Sequence, residues 1–214
     1  MSFKHFGSRP SKEDKKRYAL SPNFRGGRFN NLIETNLDIP LTKFPSMIYQ
    51  QMSGNSKRAP EQPLPVKTFD AEAFLQTSDN ARMVWYGHSA VLMRMANKTI
   101  FIDPMLGHDT TPIAPMATRR YSEGVLDVVD DLPNIDLVFI SHDHYDHLDY
   151  DSISKLKSKT SAFVVALGVK RHLVGWGVDA EIITEMDWWQ THSVDELDIT
   201  FTPTRHFSGR GITP

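Results

Sequence analysis

The chain is expected to fold as a layered α/β sandwich. Three features predict it. Segments rich in strand formers alternate with helix-like segments through the second half. The run Asp136-Leu137-Val138-Phe139-Ile140 is short and almost continuously apolar, which suits a strand covered on both faces. Of the 214 residues, 40% are hydrophobic and 23% charged, so a sizeable core can close.

Taken in order, residues 1–65 read as an arm and 66–214 as the domain. Within 1–30, eight basic residues (Lys4, Arg9, Lys12, Lys15, Lys16, Arg17, Arg25, Arg28) face two acids (Glu13, Asp14), a local charge of +6. Gly26, Gly27, Pro40, Pro45, Pro60, Pro63 and Pro65 interrupt any long helix or strand. One reading is a solvated arm wrapping the domain. The other is a basic patch facing anionic lipid or phosphate, with Phe3 and Phe6 as anchors.

Strands are expected at 83–86, 90–95 and 99–102, with a turn at 96–98 and a stop at Asp103-Pro104. Residues 104–135 carry Pro104, Pro112, Pro115 and Pro133 and are expected to be irregular. The buried strand 136–140 follows, then a helix at 150–158, a strand at 162–166, a helix at 169–176, and strands at 181–184 and 197–203.

Composition narrows the function. There is no cysteine, which excludes disulfides, thiolate zinc sites and cysteine nucleophiles; any metal must be held by histidine and carboxylate. The net charge of −2 argues against a surface built for nucleic acid, and no nucleic-acid partner is expected. The longest apolar run is far below a membrane span, and the opening residues lack the apolar core of a secretory signal. A soluble, cytoplasmic protein is therefore expected, with peripheral membrane contact through the arm as a refinement.

Directly after the buried strand comes Ser141-His142-Asp143-His144-Tyr145-Asp146-His147-Leu148-Asp149. In an extended segment, residues two apart share a side. His142, His144 and Asp146 are then expected to point one way, with His147 turned toward a neighbouring position. That suits two adjacent metals, with an imidazole pair on the first and Asp146 with His147 on the second. Four fixed positions recur by accident in roughly one chain per thousand of this length. Loops leaving the carboxyl ends of strands are also where layered α/β proteins build sites.

These residues match the HxHxDH signature of the metallo-β-lactamase superfamily. Together with Trp85-Tyr86-Gly87-His88-Ser89, Phe101-Ile102-Asp103-Pro104 and Arg205-His206-Phe207-Ser208-Gly209-Arg210-Gly211, the chain resembles the branch containing N-acyl-phosphatidylethanolamine phospholipase D and the ascorbate-6-phosphate lactonase. The resemblance implies an αββα sandwich, present here as the first half plus the start of the second. It implies a metal-dependent hydrolase acting on a small-molecule or lipid phosphodiester or on a phosphorylated lactone, with zinc, iron or manganese as the ion. His142, His144 and His206 would hold the first metal, and Asp146 and His147 the second. Asp146 would also orient the attacking water. Asp103 would stand behind a ligand, accepting a ring N–H. His88 would line the cleft beside it or donate to substrate, or be a satisfied polar residue at a turn.

The family pattern continues past His206 to a bridging acid and a last histidine. No Asp or Glu follows His206 here. The sequence is thus expected to be a truncated piece of a longer protein, or one whose missing half comes from another chain; a homo-oligomer is a separate expectation. A nuclease of the same superfamily and a non-catalytic scaffold are the competing readings.

In 104–135, Arg119 and Arg120 are expected either to clamp a substrate phosphate or to form surface ion pairs. Met105, Leu106, Ile113 and Met116 either line an acyl groove or pack the loop onto the sheet. Arg210 either favours an anionic substrate or secures its loop by pairing with backbone carbonyls. His5, His108, His172 and His192 have no partner spacing and read as background.

Overall fold

The structure, a computed structural model, describes residues 3–35, 40–53, 60–110 and 119–210. Ile113, Met116 and Gly211, and the side chain of Phe3, lie outside the described part.

The first region is more ordered than an arm of charges and prolines suggests. Ser11 caps helix α1 (Lys12–Tyr18) in a reciprocal box with Asp14, which satisfies two backbone N–H groups at once. Strands β1 (Phe24–Arg25) and β2 (Arg28–Phe29) then form a hairpin. Its turn, Gly26-Gly27, has φ of 63° and 78°, a conformation that glycine adopts without steric cost. Tyr18, Phe24 and Phe29 pack their rings together beside it. Helices α2 (Phe44–Met52) and α3 (Ala71–Leu75) follow.

The region is tied to the rest of the fold. Trp176 Nε1 donates to Lys4 O (2.8 Å), Arg171 Nε to Ser8 O (2.9 Å), and Arg17 pairs with Glu185 (2.8 Å). Phe6 turns inward, edge-on to Tyr145, and is not a free anchor for lipid. Lys12, Lys15 and Lys16 remain exposed.

Six strands make one mixed sheet in sequence order: β3 (Arg82–Trp85), β4 (Val91–Met95), β5 (Lys98–Ile102), β6 (Ile135–Ile140), β7 (Thr160–Ala166) and β8 (Ile183–Met186). The first three run antiparallel; β5 to β8 run parallel. The Ala96-Asn97 turn has both residues at positive φ, the twist a two-residue hairpin needs.

Period-two alternation assigns the faces. Leu92, Phe101, Val138, Phe163 and Ile183 sit in one cross-strand row and face the helices. Helices α4 (Val128–Asp131), α5 (Tyr150–Leu156) and α6 (Lys170–Gly175) cover that row with Val129, Ile153, Leu156 and Leu173. The alternate residues Ile100, Leu137 and Val164 face the other way. There the hairpin β9 (Thr191–Val194) and β10 (Leu197–Thr200) brings Leu197, Ile199 and the following Phe201 against them. The fold is therefore helices on a mixed sheet, with a two-stranded sheet on its second face. It is the α/β sandwich that was expected.

Three local differences have physical causes. Residues 104–135 are not wholly irregular. Gly124, at φ 69°, opens a 3-10 turn at Val125–Asp127 that runs into α4 and buries Val125 and Val129. The strand expected at 181–184 is displaced, because Asp179 caps a 3-10 turn at Ala180–Ile182 and the strand starts at Ile183. Strand β9 has little apolar alternation to announce it, and its pairing with β10 carries it. Helix α5 is extended by a 3-10 turn at Lys157–Lys159.

His172 is buried, and its role is to hold the arm. Its Nδ1 accepts the Ser8 N–H at 3.0 Å, which leaves the hydrogen on Nε2, a buried atom with no partner among the described residues. Burial first, then the nearby Arg171 and Arg210 charges, push its pKa down to about 2. The folded value lies below the unfolded one of about 6.5, so the unfolded chain binds the extra proton and stability falls as pH drops. Between pH 6.5 and 5 this residue is expected to cost on the order of 2 kcal/mol. Urea melts of the wild type and His172→Gln at pH 7 and pH 5 check it. The variant should lose less stability on acidification than the wild type.

Candidate metal centre

The sheet register builds the site. Because β5 and β6 are parallel, with Ile102 opposite Phe139, the residues after each leave the same edge side by side. Asp103 follows β5 with φ 42°, a left-handed conformation that aspartate tolerates better than most residues. Its backbone N–H donates to Phe139 O at 2.8 Å, and its carboxylate is buried. That carboxylate accepts three bonds: Ser141 N–H on Oδ1 (2.7 Å), and Ser141 Oγ–H (2.7 Å) and the His147 ring (2.8 Å) on Oδ2.

Asp103 therefore sets the tautomers around it. His147 gives its Nδ1–H to Asp103, so Nε2 carries the lone pair. Ser141, having donated its hydrogen, is placed to accept from His142 Nδ1 (2.9 Å), which leaves His142 Nε2 with a lone pair too. Ser89 Oγ adds a second contact to His147 Nδ1 at 3.1 Å. Neither serine stands out in the sequence. The only signal available is their position inside the quoted motifs.

The loop after β6 does not stay extended. Both His147 N–H and Leu148 N–H turn back to His144 O (3.1 and 2.8 Å), and Leu148 is fully buried. Asp149 then caps α5 through Ser152 N–H. The expectation that Asp146 lies in line with His142 and His144 is corrected by this turn. Asp146 is carried away from them, next to His147 and His88.

Two groups of donors result. In the first, His206 Nε2 lies 3.0 Å from His142 Nε2 and 3.1 Å from His144 Nδ1. In the second, Asp146 Oδ2 lies 3.0 Å from His88 Nε2 and 3.9 Å from His147 Nε2, with the two ring nitrogens 3.4 Å apart. His206 comes from 64 residues beyond His142 and is held by its backbone N–H to Asn31 Oδ1 (3.3 Å). Asp143 binds the two loops together: it accepts from Ser208 Oγ (2.6 Å) and Gly209 N–H (3.4 Å). Gly209 lies so close that a Cβ there would sit 2.5 Å from His144 Nε2, so only glycine leaves that ring in place.

The donor chemistry fits a cation. One N–H cannot serve two acceptors well, yet His206 Nε2 faces two other ring nitrogens at once. Burial, then the neighbouring His147, His144 and His206, push the His142 pKa down to about 4; burial and His206 lower that of His144. Both imidazoles are thus neutral at pH 7, the form that coordinates metal.

The arginines are placed differently. Arg120 donates to the carbonyls of Tyr86, Met105 and Gly107, so it staples three loops. That occupation is at odds with a phosphate clamp. Arg119 is exposed and bridges Asp109 through the backbone. Arg210 is buried and donates to the carbonyls of Asp143, His5 and Leu148, stacked over Tyr145 and Trp176; it secures the loop. Met105 and Leu106 are buried in the fold. His5 meets Asp149 and Asp151 at the start of α5, where Asp149 is already capping, and burial and the Asp149 charge raise the Asp151 pKa.

A histidine-rich rim at the strand ends of such a sandwich defines the metallo-β-lactamase class of folds. The family profile described as a beta-lactamase superfamily domain matches residues 98–214, and the chain belongs to that family. An uncharacterised protein of Mycobacterium tuberculosis is 34% identical over 197 residues, covering 90% of this chain and 52% of that one. An N-acyl-phosphatidylethanolamine-hydrolyzing phospholipase D of Caenorhabditis elegans is 26% identical, covering 74% of this chain and 47% of its own length. A metal-dependent hydrolase of Saccharolobus solfataricus is 28% identical, covering 60% and 52%. The chain spans about half the length of the curated relatives it matches.

Proposed function

We propose that this chain provides metal-binding residues of a metal-dependent hydrolase acting on a phosphodiester, as a phospholipase D does. The observation that carries the reading is the meeting of His142, His144 and His206 at 3.0–3.1 Å across 64 residues of chain. Three imidazoles with an open side suit a catalytic zinc, and iron or manganese is accommodated by the same donors. Asp146 and His147 are the proposed holders of a second ion. The likeness to the nematode phospholipase D supports the substrate class.

When bound, the ion supplies Lewis acidity, bringing the pKa of water to about 7 and polarising a phosphoryl oxygen. The chain's own residues do the rest. His142, His144 and His206 position the ion. Ser141 and Asp103 fix the rings of His142 and His147 so that their Nε2 lone pairs face inward. Asp146 accepts a hydrogen bond from the attacking water and aims it. The exposed lysines of α1 are proposed to lie toward anionic lipid. Among the described residues no helix is long and apolar enough to cross a membrane.

A panel of phosphodiester, carboxylic ester and phosphorylated lactone tests the reading, with the protein assayed both as this chain and in its full native context. Phosphodiester turnover that vanishes with chelator and returns with zinc is expected. Preference for the lactone would move the substrate class. No turnover of any of the three in either context would overturn the hydrolase reading in favour of a scaffold.

A further inference from the structure

We propose that His88 is the third protein donor to a second cation, which it holds together with Asp146 and His147. This rests on the reading that the rim binds metal. In the sequence His88 stands 59 residues before His147, a separation that carries no ligand pattern. Only the fold brings it to the rim.

The backbone aims it. His88 has φ 48°, a left-handed conformation that few non-glycine residues occupy, directly after Gly87 at φ 93°. Trp85 Nε1 donates to His88 O at 2.8 Å and pins the turn. The ring is thereby sent across to His147, which it meets edge to face. The three donor atoms form a closed triangle with edges of 3.0, 3.4 and 3.9 Å. A cation bound at about 2.0–2.2 Å by tetrahedrally placed donors holds them roughly 3.3–3.6 Å apart. A hydrogen bond from His88 to Asp146 explains the shortest edge alone. It leaves the His147 Nε2 lone pair, fixed by Asp103 on the far side of the ring, pointing into the gap between the other two donors.

The test is a Zn2+ titration of the chelator-treated chain by calorimetry, with the metal content of the dialysed protein counted by atomic absorption. The variants are His88→Ala, His88→Asn and His206→Ala, each checked for folding by thermal melting. Asparagine tolerates the left-handed backbone, so His88→Asn removes the imidazole without straining the turn. The wild type is expected to take up two equivalents. His88→Asn should keep one at unchanged affinity and weaken the other more than a hundredfold, beyond the roughly 10–100-fold that loss of an outer hydrogen-bond partner costs. In a crystal structure of the zinc complex, His88 Nε2 should stand about 2.0–2.1 Å from the second ion. A second equivalent that survives in His88→Asn within a hundredfold overturns the proposal. So does uptake of a single equivalent by the wild type; if His206→Ala abolishes that one, the first set of ligands stands and His88 alone fails. Uptake of no zinc at all would overturn both.

Discussion

Replacing His144 by alanine is expected to abolish zinc retention at the three-histidine set. Among the described residues, His144 Nδ1 supplies one of three protein donors there, and it lies 3.1 Å from His206 Nε2. A structural zinc site with four protein ligands is worth on the order of 10–16 kcal/mol. One ligand of such a set therefore represents about 3 kcal/mol, or two to three orders of magnitude in affinity. The ring is half-buried at the rim and lies outside both hydrophobic clusters, so the metal-free variant should melt close to the wild type. Equilibrium dialysis with zinc, followed by metal analysis, checks the result. Unchanged uptake would reject the ligand assignment.

Arg210→Ala is expected to have the largest effect on stability. The guanidinium is buried at 6% exposure and donates to three carbonyls, those of Asp143, His5 and Leu148. These belong to the histidine loop and the N-terminal region, so one side chain joins both to the C-terminal loop. Its removal strands three acceptors and empties the space between Tyr145 and Trp176. Each stranded buried group costs about 1–3 kcal/mol, so a total of at least ~3 kcal/mol is expected. Arg210→Lys should recover only part of it, because an ammonium group cannot reproduce the planar fork. Denaturant melts measure both variants. A loss below about 1 kcal/mol for alanine would contradict the role given to this residue.

Much of the fold is legible in the sequence because its strands are short, apolar and bounded by punctuation. The segment 136–140 lies within a largely buried strand and reads so from composition alone. Strand β9 is not legible, since Thr191, His192 and Ser193 carry no apolar alternation and only the partner strand makes them a ladder. The capping box at Ser11 and the Gly26-Gly27 turn lie within a stretch whose charge density suggests a solvated arm. Among the site residues, the histidine cluster announces itself by spacing. Arg120 does not, because its partners are backbone carbonyls brought near by folding, and those leave no mark on the sequence; for Arg210 the sequence leaves carbonyl pairing and an anionic substrate both open, and the fold decides for the carbonyls. His172 shows no partner spacing for the same reason: its partner is the backbone N–H of Ser8, 164 residues away.

The carboxylate of Asp103 reaches both donor groups, one directly through His147 and the other through Ser141 and His142. It stands at the tip of β5, and the cluster it steers stands at the tip of β6. The interval between the two groups is thus gauged by the pairing of Ile102 with Phe139. A rigid sheet acts as the ruler, and the loops can vary around it without altering the measured gap.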